Sequence, residues 1–423
     1  MKTVSLEALY SLSPKAIWQR LKQEHLSFWC ACGYLFFEYV RPQSIYLWLD
    51  FFPWASFFVV SALLLSYFDK ANKPKINILD KLLLLYAVLV LLSSIFAVWP
   101  SLAFDNISIF LNWVIIYFAI TRVVVTRERF FIFFFLYILA NYKMAQHGFL
   151  SWAARGFSFT EWGVVGAPGW FANSGEFGIQ LTIFLPLSVA FILGLRQHWG
   201  KFAKWLFYLM PVTAAGSILA SSSRGAVLGL VALGLWAIRS NKYFVRSLLM
   251  FCLAASLAWV IIPTEFKERF EVAGDDSDRT SVHRLDRWKS GWDAMLDRPI
   301  LGVGHKNWTI YYKKYYSDGS RQSLMIHNIF MESGTEHGFL GLLTLLWILF
   351  AMFRINQQTR NIAEENGMKF EHYISYGMST AVVGMSISAC FITVLYYPYV
   401  WIHAAFVTAL YNSVAVKPAN VSV

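Results

Sequence analysis

The chain has 423 residues, 57% of them hydrophobic and only 14% charged, with a mean hydropathy of +0.49. Soluble globular chains average about 45–50% apolar and about 25% charged residues, so a string of soluble domains is excluded. The formal charge of +11 sits in short clusters between apolar runs, which points to a membrane surface and away from nucleic acid. An aromatic content of 18% fits a polytopic membrane protein, whose Trp and Tyr gather at the two water interfaces. Cys30, Cys32, Cys252 and Cys390 lie in apolar stretches and form no C-x-x-C pair, so neither a disulfide framework nor a zinc site is indicated.

The first 25 residues carry Lys2, Lys15, Arg20 and Lys22 but no apolar core with a small-residue cleavage site, so no cleaved signal peptide is expected. Twelve apolar segments follow, at 26–40, 52–68, 79–98, 104–122, 129–144, 176–195, 203–221, 224–239, 243–262, 327–353, 373–395 and 398–415. Several are shorter than the roughly 20 residues that cross a core of about 30 Å. The expected layout is nine spans in 1–262 with an external stretch at 145–175, a loop domain at 263–326, and three spans in 327–423.

Basic residues alternate between the connecting loops. Lys70/Lys73/Lys75, Arg122/Arg127/Arg129, Arg196/Lys201/Lys204, Arg239/Lys242/Arg246 and Arg354/Arg360/Lys369 fall in one set. The other short loops hold a single basic residue, Arg41. By the positive-inside rule both termini are cytoplasmic and the two long insertions face outward.

Within 263–326, Leu285, Trp288, Trp292 and Met295 are spaced as the apolar face of a helix over 282–297. Asp297-Arg298-Pro299 ends it, Gly302 and Gly304 mark a turn, and a second helix carries Tyr311, Tyr312, Tyr315 and Tyr316.

Five side chains stand out as carriers of chemistry. Arg224 follows Ser221-Ser222-Ser223 in a tight external turn. It is either an interfacial anchor that snorkels to headgroups or a guanidinium fixed against a phosphate. Arg284 and Arg287 lie on the polar side of the expected loop helix, as a solvated face or as further cations for a departing diphosphate. His327 opens the tenth segment and His337 follows ten residues later. On a straight helix that is about 15 Å of rise and about 80° off the same face, so the two cannot share one small site. If that helix begins at 327, His327 sits at the outer interface; a start near Ser333-Gly334 would bring His337 there instead. Either imidazole suits proton abstraction at neutral pH, and a structural histidine is the plainer reading of each. Asp275, Asp276 and Asp278 form an acidic patch without EF-hand spacing, read as surface. Glu176, near the outer end of segment six, is expected to face the bundle.

The order of these features resembles the O-antigen ligase family, within the wider group of O-antigen ligases, O-antigen polymerases and bacterial protein O-oligosaccharyltransferases. The resemblance rests on Arg224 in R-x-x-x-L and on His327-Asn328 followed by Gly338 and Gly341, the pattern H-N-x9-G-x-x-G. Arg284-x-x-x-Trp288, the run Arg298-Pro299-Ile300-Leu301-Gly302-Val303-Gly304 and Phe171-x-Asn173 support it.

That resemblance implies an all-α, GT-C-like bundle of about twelve spans in the bacterial inner membrane, with a large helical periplasmic loop. It implies a metal-independent, cofactor-free, inverting glycosyltransferase acting at the periplasmic face. Such an enzyme joins O-antigen polysaccharide from undecaprenyl diphosphate to lipid A–core oligosaccharide. His327 maps to the family's histidine, with His337 as the alternative base, and Arg224 and Arg284 map to its arginines. Apolar grooves between spans would hold the lipid chains. A polymerase or a protein O-oligosaccharyltransferase shares the donor chemistry and differs in acceptor. A lipid or glycan transporter would place ionisable groups near mid-membrane, which only Glu332, Glu336 and His337 suggest here.

Overall fold

The computed structural model describes residues 4–71, 74–160, 163–239, 279–317 and 325–415, with a few single positions between 240 and 278. Among the described residues the regular elements are helices. Two short ones, α1 (Leu6–Tyr10) and α2 (Pro14–Leu21), precede α3 (Leu26–Tyr39), α4 (Pro42–Ile45), α5 (Trp54–Ser66), α6 (Ile78–Ile95), α7 (Pro100–Val123) and α8 (Arg127–Ala154). Next come α9 (Ser174–Leu195), α10 (Lys201–Ala220) and α11 (Arg224–Ile238). The expected loop helices are α12 (Arg279–Asp297) and α13 (Trp308–Tyr315). The last three are α14 (Ile329–Glu365), α15 (Lys369–Ala389) and α16 (Pro398–Ala415).

Helices thus stand at eleven of the twelve expected apolar segments; the ninth, 243–262, falls outside the described residues apart from three single positions. Five are long and apolar enough to cross a bilayer: α6, α7, α9 extended to His198, α10 and α14. The expected external stretch at 145–175 begins as helix, because α8 runs on to Ala154.

Local signals explain where the helices start. The Asn77 side chain accepts from Leu79 N at 2.7 Å while Asp80 accepts from Asn77 N at 2.7 Å, a reciprocal cap on α6. Thr126, Asn173, Ser223 and Asn328 cap α8, α9, α11 and α14 with their side-chain oxygens. Leu84, Leu85, Val88, Leu91 and Leu92 leave one face of α6 apolar and exposed, as lipid contact requires. In contrast, α16 is buried from Pro398 to Val414 on nearly every side and forms the axis of the bundle.

The loops separate into two ends, as the basic pattern predicts. At the basic end, Arg129 reaches Glu24 at 2.5 Å and Asp69 at 2.7 Å. Arg127 bonds Glu371 at 2.5 Å, and the Trp199 indole N–H donates to Tyr10 C=O at 3.0 Å. These contacts gather α1, α2, α8, α15 and the α9–α10 turn. At the opposite end Val98 N–H donates to Val303 C=O at 2.9 Å, and Val164 N–H to Ala220 C=O at 2.9 Å.

The tenth segment is not one straight helix. It starts at Ile329, not near Ser333-Gly334, and breaks at Gly338, where φ is +69°. A side chain at Gly338 would strike the Ile300 carbonyl, 2.4 Å from an ideal Cβ. The turn 299–304 enters this break. Val303 N–H and Gly304 N–H donate to Thr335 C=O at 2.8 Å and Glu336 C=O at 3.1 Å, while Phe339 N–H donates to Pro299 C=O at 2.8 Å. A broken helix at membrane depth frees backbone groups that need partners. The run Arg298–Gly304 supplies them.

Candidate functional site

Helix α12 lies across the first turns of α14. An ideal Cβ at Gly291 would come within 2.8 Å of Ile326 Cδ1 and 3.1 Å of Thr335 Cγ2, so glycine permits the close crossing. The Trp288 indole N–H then donates to Ile326 C=O at 2.9 Å. This crossing corrects the expected face of α12. Arg287 (4% exposed), Gly291, Ala294 and Met295 are buried, whereas Leu285 and Trp292 point outward at 58% and 48% exposed. The polar-side expectation therefore fails for Arg287.

His327 stands just before the Asn328 cap, in left-handed backbone with φ +52°. Its N–H donates to the Thr393 hydroxyl at 2.9 Å. Burial first, then the charges of Arg284 and Arg287, lower the imidazole pKa from 6.5 to about 4. The ring is thus neutral at pH 7, as a proton acceptor must be. Burial likewise lowers the Arg287 pKa, against a hydrogen bond to Tyr312 that raises it.

Arg224 opens α11, half-buried, where Ser223 caps Ala226 N–H at 3.4 Å. The following Gly225 packs on Phe391, whose ring is 6.4 Å from that of Trp288. The turns and bends at 390–397 therefore have the start of α11 on one flank and α12 with His327 on the other. Arg284 and Arg287 are brought to His327, and Arg224 to the same connecting segment.

His337 occupies different surroundings. It is 0% exposed, its Nε2 lies 3.0 Å from the Tyr396 hydroxyl, and its Nδ1 has no hydrogen-bond partner. His305 Nδ1 lies 3.1 Å from the same hydroxyl, which also bonds the Glu336 carboxylate. Lys306 places its amino group 4.1 Å from the Tyr396 ring centre, and its N–H donates to Glu336 at 2.8 Å. Burial lowers the His305 pKa to about 4.

Donor atoms of His305, Glu336 and His337 lie within 4.8 Å of one another, a spacing open to a metal ion. The Tyr396 hydroxyl bonds all three and so fills the position an ion would need. Sequence reasoning singled out Glu332, Glu336 and His337 but missed His305, Lys306 and Tyr396. Only the docking of 299–304 into the α14 break joins these stretches. The acidic patch Asp275, Asp276 and Asp278 lies outside the described residues.

Residues 209–346, about a third of the chain, match the sequence profile of the O-antigen ligase family. That span holds Arg224, Arg284, Arg287, His327 and His337. The chain is also similar to the exopolysaccharide production protein ExoQ of Rhizobium meliloti (strain 1021), 27% identical over 216 residues. The match covers 47% of this chain and 48% of that protein, so it spans about half of the relative's length. Both likenesses bear out the resemblance to the O-antigen ligase and polymerase superfamily. Together with the apolar helices, they mark an integral membrane protein.

Proposed function

We propose that the chain is a membrane glycosyltransferase that moves a glycan from undecaprenyl diphosphate to an acceptor hydroxyl at the periplasmic face of the inner membrane. One observation carries this reading: a neutral imidazole, His327, set among arginines within the family-matched span. His327 takes the acceptor hydroxyl's proton as that oxygen forms a bond to the anomeric carbon. The bond from that carbon to the diphosphate oxygen breaks on the opposite face, with inversion. Arg224, Arg284 and Arg287 stabilise the negative charge on the departing lipid diphosphate. The proton passes from His327 to water. No step requires a metal.

Lipid A–core oligosaccharide is the proposed acceptor, in keeping with the family's description. A second reading makes the growing polysaccharide the acceptor, and the exopolysaccharide role in the relative's name favours it. Proteoliposomes given lipid-linked glycan with either acceptor test both. Product on lipid A–core supports the ligase, longer lipid-linked chains support the polymerase, and no transfer to either refutes the proposal. Arg224→Ala should cut transfer severely and Arg224→Lys restore it only in part, because lysine lacks the planar fork. Full activity in Arg224→Ala would return that residue to an interfacial anchor.

A further inference from the structure

Arg41 and Glu176 have no part in the mechanism above, yet the structure brings them to one place. It lies at the mouth of α16, beside the segment that holds His327. Trp170 and Tyr397 meet there with ring centres 5.1 Å apart, each only partly buried. Their supports are buried: Trp113, 5.4 Å from Trp170, and Tyr399, 6.0 Å from Tyr397 in a stacked arrangement, are each 2% exposed.

Polar groups ring this pair. The Tyr397 hydroxyl bonds the Glu176 carboxylate, and the Trp170 indole N–H donates to Glu38. Arg41, in left-handed backbone with φ +52°, lays its guanidinium over Gly169, in the space a side chain there would fill. Its Nε has no hydrogen-bond partner.

Trp and Tyr at a membrane protein's end often belong to a lipid-facing belt. Position argues otherwise here. Tyr397 immediately precedes α16, which is buried on nearly every side, and both rings rest on buried aromatics, so the pair stands over the packed interior of the bundle. Rigid aromatic faces with carboxylate acceptors and a guanidinium donor beside them suit a ring bearing both C–H faces and hydroxyls. Thr393, which holds His327, is four residues from Tyr397, at most about 14 Å of extended chain. That distance is two or three sugar units.

We infer that Trp170 and Tyr397, with Glu38, Arg41 and Glu176, form a saccharide subsite for a neutral pyranose a few units from the reacting bond. The inference rests on the glycosyl-transfer reading. The sugar belongs to the donor glycan or to the acceptor glycan, and the test separates the two.

Kinetics would be run on the purified full chain in nanodiscs. One arm lengthens the donor glycan at fixed acceptor, and the other lengthens the acceptor at fixed donor. Trp170→Ala and Tyr397→Ala should raise KM about tenfold for the longer substrates of one arm, with kcat and the shortest substrate little changed. Trp170→Phe should recover much of the loss, and Tyr397→Phe should keep the platform while weakening the hold of Glu176. Unchanged KM at every length, or a uniform fall in kcat with every substrate, overturns the subsite. Titration of the same oligosaccharides, free of lipid, decides the case where wild type transfers nothing. Binding by wild type that Trp170→Ala abolishes supports the subsite although the transfer reading has failed; equal or absent binding overturns it.

Discussion

At the basic end, Arg129 is 3% exposed between Glu24 and Asp69, and Arg127 sits on Glu371. At the opposite end, Arg284 and Arg287 converge on His327, and their charges lower its pKa. Opposite charges at the first end cancel and tie α1, α2, α8 and α15 together. At the second end burial, helped by like charges, keeps an imidazole neutral, and those charges make a field suited to an anion. Arginine is thus a structural rivet in one place and, in the proposed reaction, a counter-charge in the other.

The sharpest break of that contrast comes from the histidines. His327→Ala should lose transfer by about 10²–10⁴-fold if the ring is the general base. His337→Ala removes one partner of the Tyr396 hydroxyl and should mainly lower thermal stability. Normal transfer in His327→Ala with none in a folded His337→Ala would exchange the two roles.

Arg129→Ala tests the structural end. It removes the buried cation between Glu24 and Asp69, which costs about 3–5 kcal/mol where no other partner remains. Here Arg20 still pairs with Glu24 at 2.6 Å and Ser27 still bonds Asp69 at 2.8 Å, so the loss should fall below that range. The midpoint of thermal unfolding in detergent should fall, while transfer per folded molecule stays near wild type. A lost kcat at unchanged stability would mean that the two ends are coupled.

Much of this division was legible in the sequence. The alternation of basic loops marked the two ends, and helices stand at eleven of the apolar segments, although α8 and α14 run well past the expected ends at 144 and 353, to Ala154 and Glu365. What stayed hidden depended on contacts distant in sequence. The buried face of α12 could not be read from Leu285 and Trp292, because their spacing marks an apolar side without showing which side the rest of the chain covers. Gly291, with no side chain, set the face instead. The straight-helix geometry for His327 and His337 failed for a similar reason: Gly338 breaks α14, and the turn that fills the break arrives from 299–304. Tyr396 lies 59 residues from His337, and no spacing rule links them.

A labelling experiment places the two ends across the membrane. In a chain without Cys30, Cys32, Cys252 and Cys390, cysteine at Ser317 should react with an impermeant thiol reagent from outside. Cysteine at Gln357, in the exposed far part of α14, should not. Equal labelling would overturn the inside–outside assignment of the basic loops.

A smaller effect is expected on the pH profile. Under the proposed mechanism, in which the neutral His327 ring is the active form, wild-type kcat/KM should climb through a pKa of about 4 and stay level to neutrality. Arg287→Ala or Arg284→Ala removes a positive charge that favours the neutral ring, so the climb should move to higher pH. Burial is the larger cause of the shift, so either substitution should restore only part of the distance to 6.5. A climb that stays in place would show that these arginines act on the substrate alone.

The last expectation is of no change, and it separates the end holding His327 from the polar core behind it. His305, Glu336 and His337 have the chemistry of a metal site. An ion there would have to displace the Tyr396 hydroxyl, and its removal would then unlock 299–304 from the α14 break. The hydroxyl bonds all three groups and so holds the cluster as a hydrogen-bonded joint, with only His337 Nδ1 of the two histidines' ring nitrogens left without a partner. EDTA should therefore leave both transfer and thermal midpoint where they are. Loss of both on chelation, with recovery on adding a divalent ion, would show that the joint is metal-bound. Loss of transfer alone would move the metal to the diphosphate, and the arginines would no longer suffice as its counter-charge.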